Sequence, residues 1–189
     1  NLVSIVIPIY NESESIELVA KEIIEVMNAN NIYFELILVN DGSDDSTFQI
    51  LNKLSLKIKE LKVLNLRKNY GQTAAMAAGF DYSNGEIIIS LDGDLQNDPN
   101  DIPKLIQTIK EGYDLVCGWR FERKDKLISR RIPSKIANKL IGFVTGINLH
   151  DYGCSLKAFK KAIVKDIKLY GELHRFLPIL ANIEGAKIK

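Results

Sequence analysis

Apolar runs of strand length alternate with segments of helical period through the first two thirds of this sequence, and that rhythm restricts the possible folds more than any other feature. Strands are expected at Leu2 to Ile9, Phe34 to Val39, Lys62 to Leu66, Glu86 to Leu91 and Tyr113 to Gly118. Helices are expected around Glu22 to Met27, from Thr47, over Gln72 to Tyr82 and over Asp101 to Lys110. Strands so uniformly apolar are covered on both faces, which is the habit of parallel sheets in α/β proteins. The expected fold class is therefore α/β, a mostly parallel Rossmann-like sheet flanked by helices on both faces. Ligands of such sheets bind beyond the carboxyl ends of the strands. Three polar clusters fall there: Tyr10-Asn11-Glu12, Asn40-Asp41-Gly42-Ser43 and Asp92-Gly93-Asp94.

Past Gly118 the pattern changes to a basic, loop-like stretch. A helix is expected from about Pro133 to Val144, then a short segment through Asp151 to Phe159, then helical sequence to the end. No flexible linker separates the two parts, so 1–189 reads as one domain with a change of role near Trp119. Between Trp119 and Lys139 stand eight basic and two acidic residues, a net +6 in a chain whose total is +1. An acidic body with one basic strip implies two different ligands, and the near-neutral total argues against a nucleic-acid partner. Cys117 and Cys154 are the only cysteines, too few for a disulfide framework or a thiolate zinc site, which favours a reducing, cytoplasmic setting. No apolar run reaches the roughly 18 residues of a spanning helix. The last residues, Ala186 to Lys189, carry no stop signal, so a C-terminal continuation is expected.

Asp92-Gly93-Asp94-Leu95-Gln96 places two carboxylates and an amide oxygen just beyond an apolar strand. Hard oxygen donors in a short loop suit Mg²⁺ or Mn²⁺, which could neutralise charge on a leaving diphosphate. An Asp-Gly turn capping the next helix explains the same residues. Pro8 sits where a strand terminus tolerates a missing donor, and the carboxylate of Glu12 and the ring of Tyr10 could hold a ribose and base. Helix capping by Asn11 to Ser15 is the alternative there. Around Asp41 we assign Asp41 to the ligand and Asp45 to Thr47 to the cap. His150 and His174, the only histidines, have no partners at metal-ligand spacing; His174 either borders the site or is structural. Trp119 suits a sugar pocket and the core equally.

Pro8-x-Tyr10-Asn11-Glu12, Asp41-Gly42-Ser43, Arg67-x-Asn69-x-Gly71 and Asp92-x-Asp94-x-Gln96, in this order, resemble the inverting GT-A glycosyltransferases of the dolichyl-phosphate mannose synthase type. Gly118-Trp119-Arg120, Arg130-Arg131-x-x-Ser134, Asn138, Asp151 to Lys157 and Gly171 to Phe176 are similar to the bacterial undecaprenyl-phosphate glycosyltransferases. The resemblance covers essentially the whole chain. It implies transfer of a sugar, with inversion, from a nucleotide-sugar (UDP is favoured) to polyprenyl phosphate at the cytoplasmic face of the cell membrane. It places Pro8, Tyr10, Glu12, Asp41 and Asp92 at the nucleotide, Asp92, Asp94 and Gln96 around Mg²⁺ or Mn²⁺, and Asp94 and Asp151 at the chemistry. Arg120, Arg130, Arg131, Ser134 and Lys135 would meet the acceptor phosphate, and the same strip would meet the membrane surface. Residues 1–118 then form the nucleotide-sugar half and 119–189 the acceptor half. Relatives continue into membrane-associated helices through which they self-associate, and many carry aspartate where Asn40 stands. An acceptor phosphate is already largely ionised, so Asp151 positions ligands as much as it removes a proton. A transferase for polysaccharide or protein acceptors and a catalytically silent nucleotide-sugar module are the rival readings. QxxRW, expected of processive synthases, is absent, and no GxGxxG follows the first strand as in a dehydrogenase.

Overall fold

The computed structural model describes residues 1–119, 151 and 153–189. Six strands form one sheet in the order β3-β2-β1-β4-β6-β5. They are β1 (Val3–Ile9), β2 (Phe34–Asn40), β3 (Leu61–Asn65), β4 (Ile87–Ser90), β5 (Leu115–Cys117) and β6 (Lys157–Lys160). The helices are α1 (Ile16–Ala29), α2 (Thr47–Lys57), α3 (Gln72–Tyr82), α4 (Ile102–Lys110), α5 (Lys161–Asp166) and α6 (Leu177–Ile183), with single 3₁₀ turns at Pro99–Asp101 and Leu173–Phe176. The expected helix from Pro133 to Val144 lies outside the described residues.

Alternation along β1 divides the core into two layers. Val3, Ile5, Ile7 and Ile9 pack toward α1, α2 and α4, while Val6 packs with Ala75, Met76 and Phe80 of α3. In α1 the buried Ile16, Val19, Ala20, Ile23 and Met27 form one face at helical spacing. Burying each of its large aliphatic side chains contributes about 1.5–3 kcal/mol, and this holds α1 across the sheet. On the other face α3 comes so close that a Cβ on Gly79 would lie 2.3 Å from Val6 Cγ1. The helices thus cover both faces, as the continuous apolar strands require.

Strands β1 to β4 are parallel, with β1 between β2 and β4. Pro8 is accommodated by this pairing. Leu91 N–H donates to Val6 O on the β4 side and Asp41 N–H donates to Ile9 O on the β2 side. Even-numbered residues of β1 therefore bond toward β4, whose pairing with β1 ends at Val6↔Ser90, before Pro8 is reached.

Two elements depart from the sequence reading. The short segment read through Asp151 to Phe159 ends in a strand, β6, which inserts between β4 and β5 and runs antiparallel to both. Lysines at both of its ends hide it from an apolar-run criterion, and its partners are remote in sequence. The final residues are extended rather than helical. Gly185, at φ +81°, ends α6, and Ile188 bridges Leu115 in parallel while Lys189 N–H donates to Leu115 O.

At the amino end of the strands, opposite the polar clusters, Glu35 is buried at 4% exposure. Its carboxylate accepts from Ser4 Oγ at 2.6 Å, Lys62 Nζ at 2.6 Å and Asn84 N–H at 2.7 Å. Burial raises its pKa, but these bonds together outweigh burial and hold it at about 2.

Candidate active site

The loops after β1, β2, β3 and β4 meet in one cleft of about 350 Å³, lined by Pro8, Tyr10, Glu12, Asp41, Asp92 and Asp94 among others. Asp41 is 2% exposed, and both of its oxygens are engaged. Tyr70 N–H donates to Oδ1 and Gly71 N–H to Oδ2, each at 2.8 Å. Gly42 follows at φ +67°, where a Cβ would lie 2.4 Å from the Lys68 carbonyl carbon. Only glycine lets the two loops touch there. Ser43 Oγ donates to Asn40 Oδ1 at 2.6 Å and accepts from Asn11 N–H at 3.0 Å. Asn40 in turn donates to Asn65 Oδ1 at 3.1 Å, so its amide is spent on joining β2 to β3.

Of the stretch Asp45 to Thr47 expected to cap α2, the N-cap Ser46 makes no side-chain cap bond, and its two neighbours fasten the loop after β1 to the start of the helix. Thr47 Oγ1 accepts Glu12 N–H, and Asp45 accepts from Thr47 N–H at 2.9 Å and Ser13 N–H at 3.4 Å. Burial raises Asp45, but the bonds from Thr47 and Ser13 hold it below the usual carboxylate range. Glu12 keeps one oxygen on Ser15 Oγ at 2.7 Å. Tyr10 is left 44% exposed at the cleft.

Asp92 and Asp94 stand two residues apart on the cleft wall. Asp94 Oδ1 accepts Gln96 N–H at 3.1 Å, and Leu95 adopts φ +61°. That turn sends Gln96 to a separate groove beside Glu22 and Glu25 of α1, so the structure brings the two aspartates together but not Gln96. No group of three or more His, Cys, Asp or Glu at metal-binding separation occurs among the described residues. Two carboxylates are nevertheless the donor set with which proteins hold Mg²⁺ when phosphate oxygens and water supply the remaining positions. The residues present therefore fit a divalent ion that binds together with a diphosphate.

A second cavity of about 310 Å³ adjoins the cleft, and Gln72 and Asp92 line both. Gln72 Nε2 donates to Asp92 Oδ1 at 2.7 Å across the partition. The floor comes from Ser90, Gly153, Ser155 and Lys157, and the far wall from His174 and Arg175. Asn97 Nδ2 donates to Ser155 Oγ at 2.8 Å, and Ser90 Oγ donates to Ser155 O at 2.9 Å. These bonds fasten the loop after β4 to the segment that follows Asp151. Asp151 is 7% exposed, and one of its oxygens accepts Gly153 N–H at 3.1 Å. His174 Nδ1 shares a 2.6 Å hydrogen bond with Thr73 Oγ1, and burial holds its pKa below the ordinary value. Trp119, at 54% exposure, does not close the core. Lys157 and Gln72 escaped the sequence reading as site residues. A lysine inside the otherwise apolar Leu156-Lys157-Ala158-Phe159 was the available signal for the first. Arg120, Arg130, Arg131, Ser134 and Lys135 lie outside the described residues, as does His150.

Residues 4–168 match the family model of glycosyl transferase family 2. The chain belongs to that family. A dodecaprenyl-phosphate galacturonate synthase of Rhizobium johnstonii is 47% identical to it over 177 residues, which are 93% of this chain and 52% of that protein. An undecaprenyl-phosphate 4-deoxy-4-formamido-L-arabinose transferase of Photorhabdus laumondii is 43% identical over 186 residues, 98% of this chain and 57% of that protein. The chain spans about half the length of the curated relatives it matches. Among solved structures, a mannosyltransferase of Pyrobaculum calidifontis in complex with GDP-Man and Mn²⁺ superposes with a TM-score of 0.73 at 16% identity, over 98% of this chain and 53% of that one. Glucosyl-3-phosphoglycerate synthase of Mycobacterium tuberculosis, in complex with Mn²⁺ and UDP-glucose, gives 0.69 at 20% identity, over 89% and 59%. At such identities these structures establish the fold of this family 2 chain, which is GT-A. No helix among its described residues is long and apolar enough to cross a membrane.

Proposed function

We propose that this chain carries the transfer site of a glycosyltransferase that moves a sugar from a nucleotide-sugar, UDP-linked, to the phosphate of polyprenyl (undecaprenyl) phosphate with inversion, at the cytoplasmic face of the cell membrane. The observation that carries this reading is the pair of relatives, 47% and 43% identical over nearly the whole chain, that are both named for sugar transfer involving a polyprenyl phosphate. The cleft and its neighbouring cavity support it by offering two adjoining compartments.

In this reading residues 1–118 serve the donor and 119–189 the acceptor. Tyr10, Glu12 and Pro8 face the nucleoside, while Asp41 holds the loop of Asn69 and Gly71 against it. Asp92 and Asp94 would hold Mg²⁺ or Mn²⁺, which when bound neutralises the charge of the diphosphate leaving group. Gln72 fixes the Asp92 carboxylate at the partition. The acceptor oxygen is already anionic near neutral pH, so alignment behind the anomeric carbon lowers the barrier more than proton removal does. Asp151, held by the Gly153 N–H, then acts by positioning. Arg120, Arg130, Arg131, Ser134 and Lys135 complete the reading as contacts to the acceptor phosphate. The basic strip around them adds about 1 kcal/mol per cation at an anionic leaflet.

The test is thermal stability with UDP, GDP, CDP and ADP, each with and without Mn²⁺. A ligand at 100 times its Kd adds about 2.7 kcal/mol. Stabilisation by UDP that requires the metal supports the donor assignment. A response to GDP alone would overturn the UDP choice, and silence toward all four would overturn the transferase reading of this cleft.

A further inference from the structure

Lys157 is 4% exposed and sits in β6 opposite Ser90 of β4 and Cys117 of β5. A buried ammonium is strongly penalised unless an anion faces it. Lys157 Nζ donates to the carbonyl oxygen of Cys154, which is neutral, and it forms no ion pair among the described residues. Cys117 supplies no charge, because burial pushes its thiol up to about 12, and Asp92, the carboxylate in the lining of the same cavity, is bonded to Gln72 and makes no ion pair with Lys157. What Lys157 does face is the second cavity, whose mouth carries the exposed guanidinium of Arg175, paired to Glu172 at 3.4 Å. The cavity meets the donor cleft at the Gln72–Asp92 bond. Whatever hangs from a diphosphate held at Asp92 and Asp94, or approaches it, has this cavity as its neighbour.

We propose that the cavity is an oxyanion subsite, in which the Lys157 ammonium, assisted by Arg175 at the mouth, receives an anionic group of one of the two substrates. The inference rests on the glycosyltransferase reading above. The shared chemistry is an oxyanion accepting charge-assisted hydrogen bonds, and it has two sources: a carboxylate on the transferred sugar or the phosphate of the acceptor.

Calorimetric titration of the full chain with Mn²⁺ separates them. In the donor arm, UDP-galacturonate is compared with UDP-galactose. In the acceptor arm, farnesyl phosphate is compared with farnesol in the presence of UDP. Lys157→Met should weaken one charged probe about tenfold or more, while its neutral counterpart and UDP change less than about twofold, and Lys157→Arg should restore most of the loss. The probe that responds names the source. Equal weakening of charged and neutral probes, or none, overturns the inference while UDP still binds. Failure of the unaltered chain to bind any nucleotide overturns the underlying reading and the inference with it. If Lys157→Met abolishes the cooperative melt, Arg175→Gln at its exposed position decides: selective weakening of the same charged probe supports the subsite, and unchanged selectivity overturns it.

Discussion

Gly71 N–H donates to Asp41 Oδ2 over 2.8 Å, and the neighbouring Tyr70 N–H donates to the other oxygen at the same distance. One carboxylate thus fixes the loop between β3 and α3 against the end of β2. An amide offers a single acceptor where two donors wait. Asp41→Asn should therefore cost about 1–3 kcal/mol of stability, read from the denaturation midpoint. It should also weaken nucleotide binding, because Asn69 and Gly71 belong to the cleft wall.

Gly42→Ala attacks the same contact from the backbone side. At φ +67° the new methyl would lie 2.4 Å from the Lys68 carbonyl carbon, and neither backbone can yield without moving the loop. A loss of at least about 2 kcal/mol is expected, together with reduced nucleotide affinity in calorimetry.

Asp94→Ala should leave the unliganded protein within about 0.5 kcal/mol of its original stability, since the residue is partly exposed on a loop. The part of nucleotide-induced stabilisation that depends on Mn²⁺ should disappear. Thermal shift with UDP, scanned over metal concentration, measures both quantities. Retention of the metal-dependent increment would remove Asp94 from the proposed ion site.

Glu35 makes stability depend on acid. Its folded pKa of about 2 lies below the ordinary 4.5, so its contribution is complete above pH 4.5 and fades as pH falls through 2. The difference in unfolding free energy between the unaltered protein and Glu35→Gln should be constant near neutrality and shrink by about 3 kcal/mol over that window. Urea titrations at pH 7, 4 and 2.5 provide the check.

The rhythm from β1 through β5 was legible because the inner strands β1, β2 and β4 are buried and apolar nearly throughout, while the edge strands still carry Leu61, Val63 and Leu64 in β3 and Leu115 and Val116 in β5. Even the bounds of α3, Gln72 to Tyr82, agree with the reading of the sequence. Strand β6 was hidden because Lys157 and Lys160 frame only two apolar residues, and because its antiparallel place between β4 and β5 is decided by partners far away in the chain. Within the site, the convergence of Asp41, Asp92 and Asp94 followed from their positions at strand ends. The side to which Gln96 turns depended on a left-handed Leu95, which residue type does not announce. The Gln72–Asp92 partition joins two loops that local sequence does not connect.

The insertion of β6 also sets an order of assembly during synthesis. When the ribosome has delivered residues 1–118, β4 has no partner on its outer side and β5 has none of its strand neighbours. Both wait for Lys157 to Lys160, made some 40 residues later. Until then the nascent chain presents open, apolar strand edges of the kind that chaperones cover and that aggregate when left uncovered. A polypeptide cut after Gly118 would keep those edges open, although every residue that lines the donor cleft would already have been made.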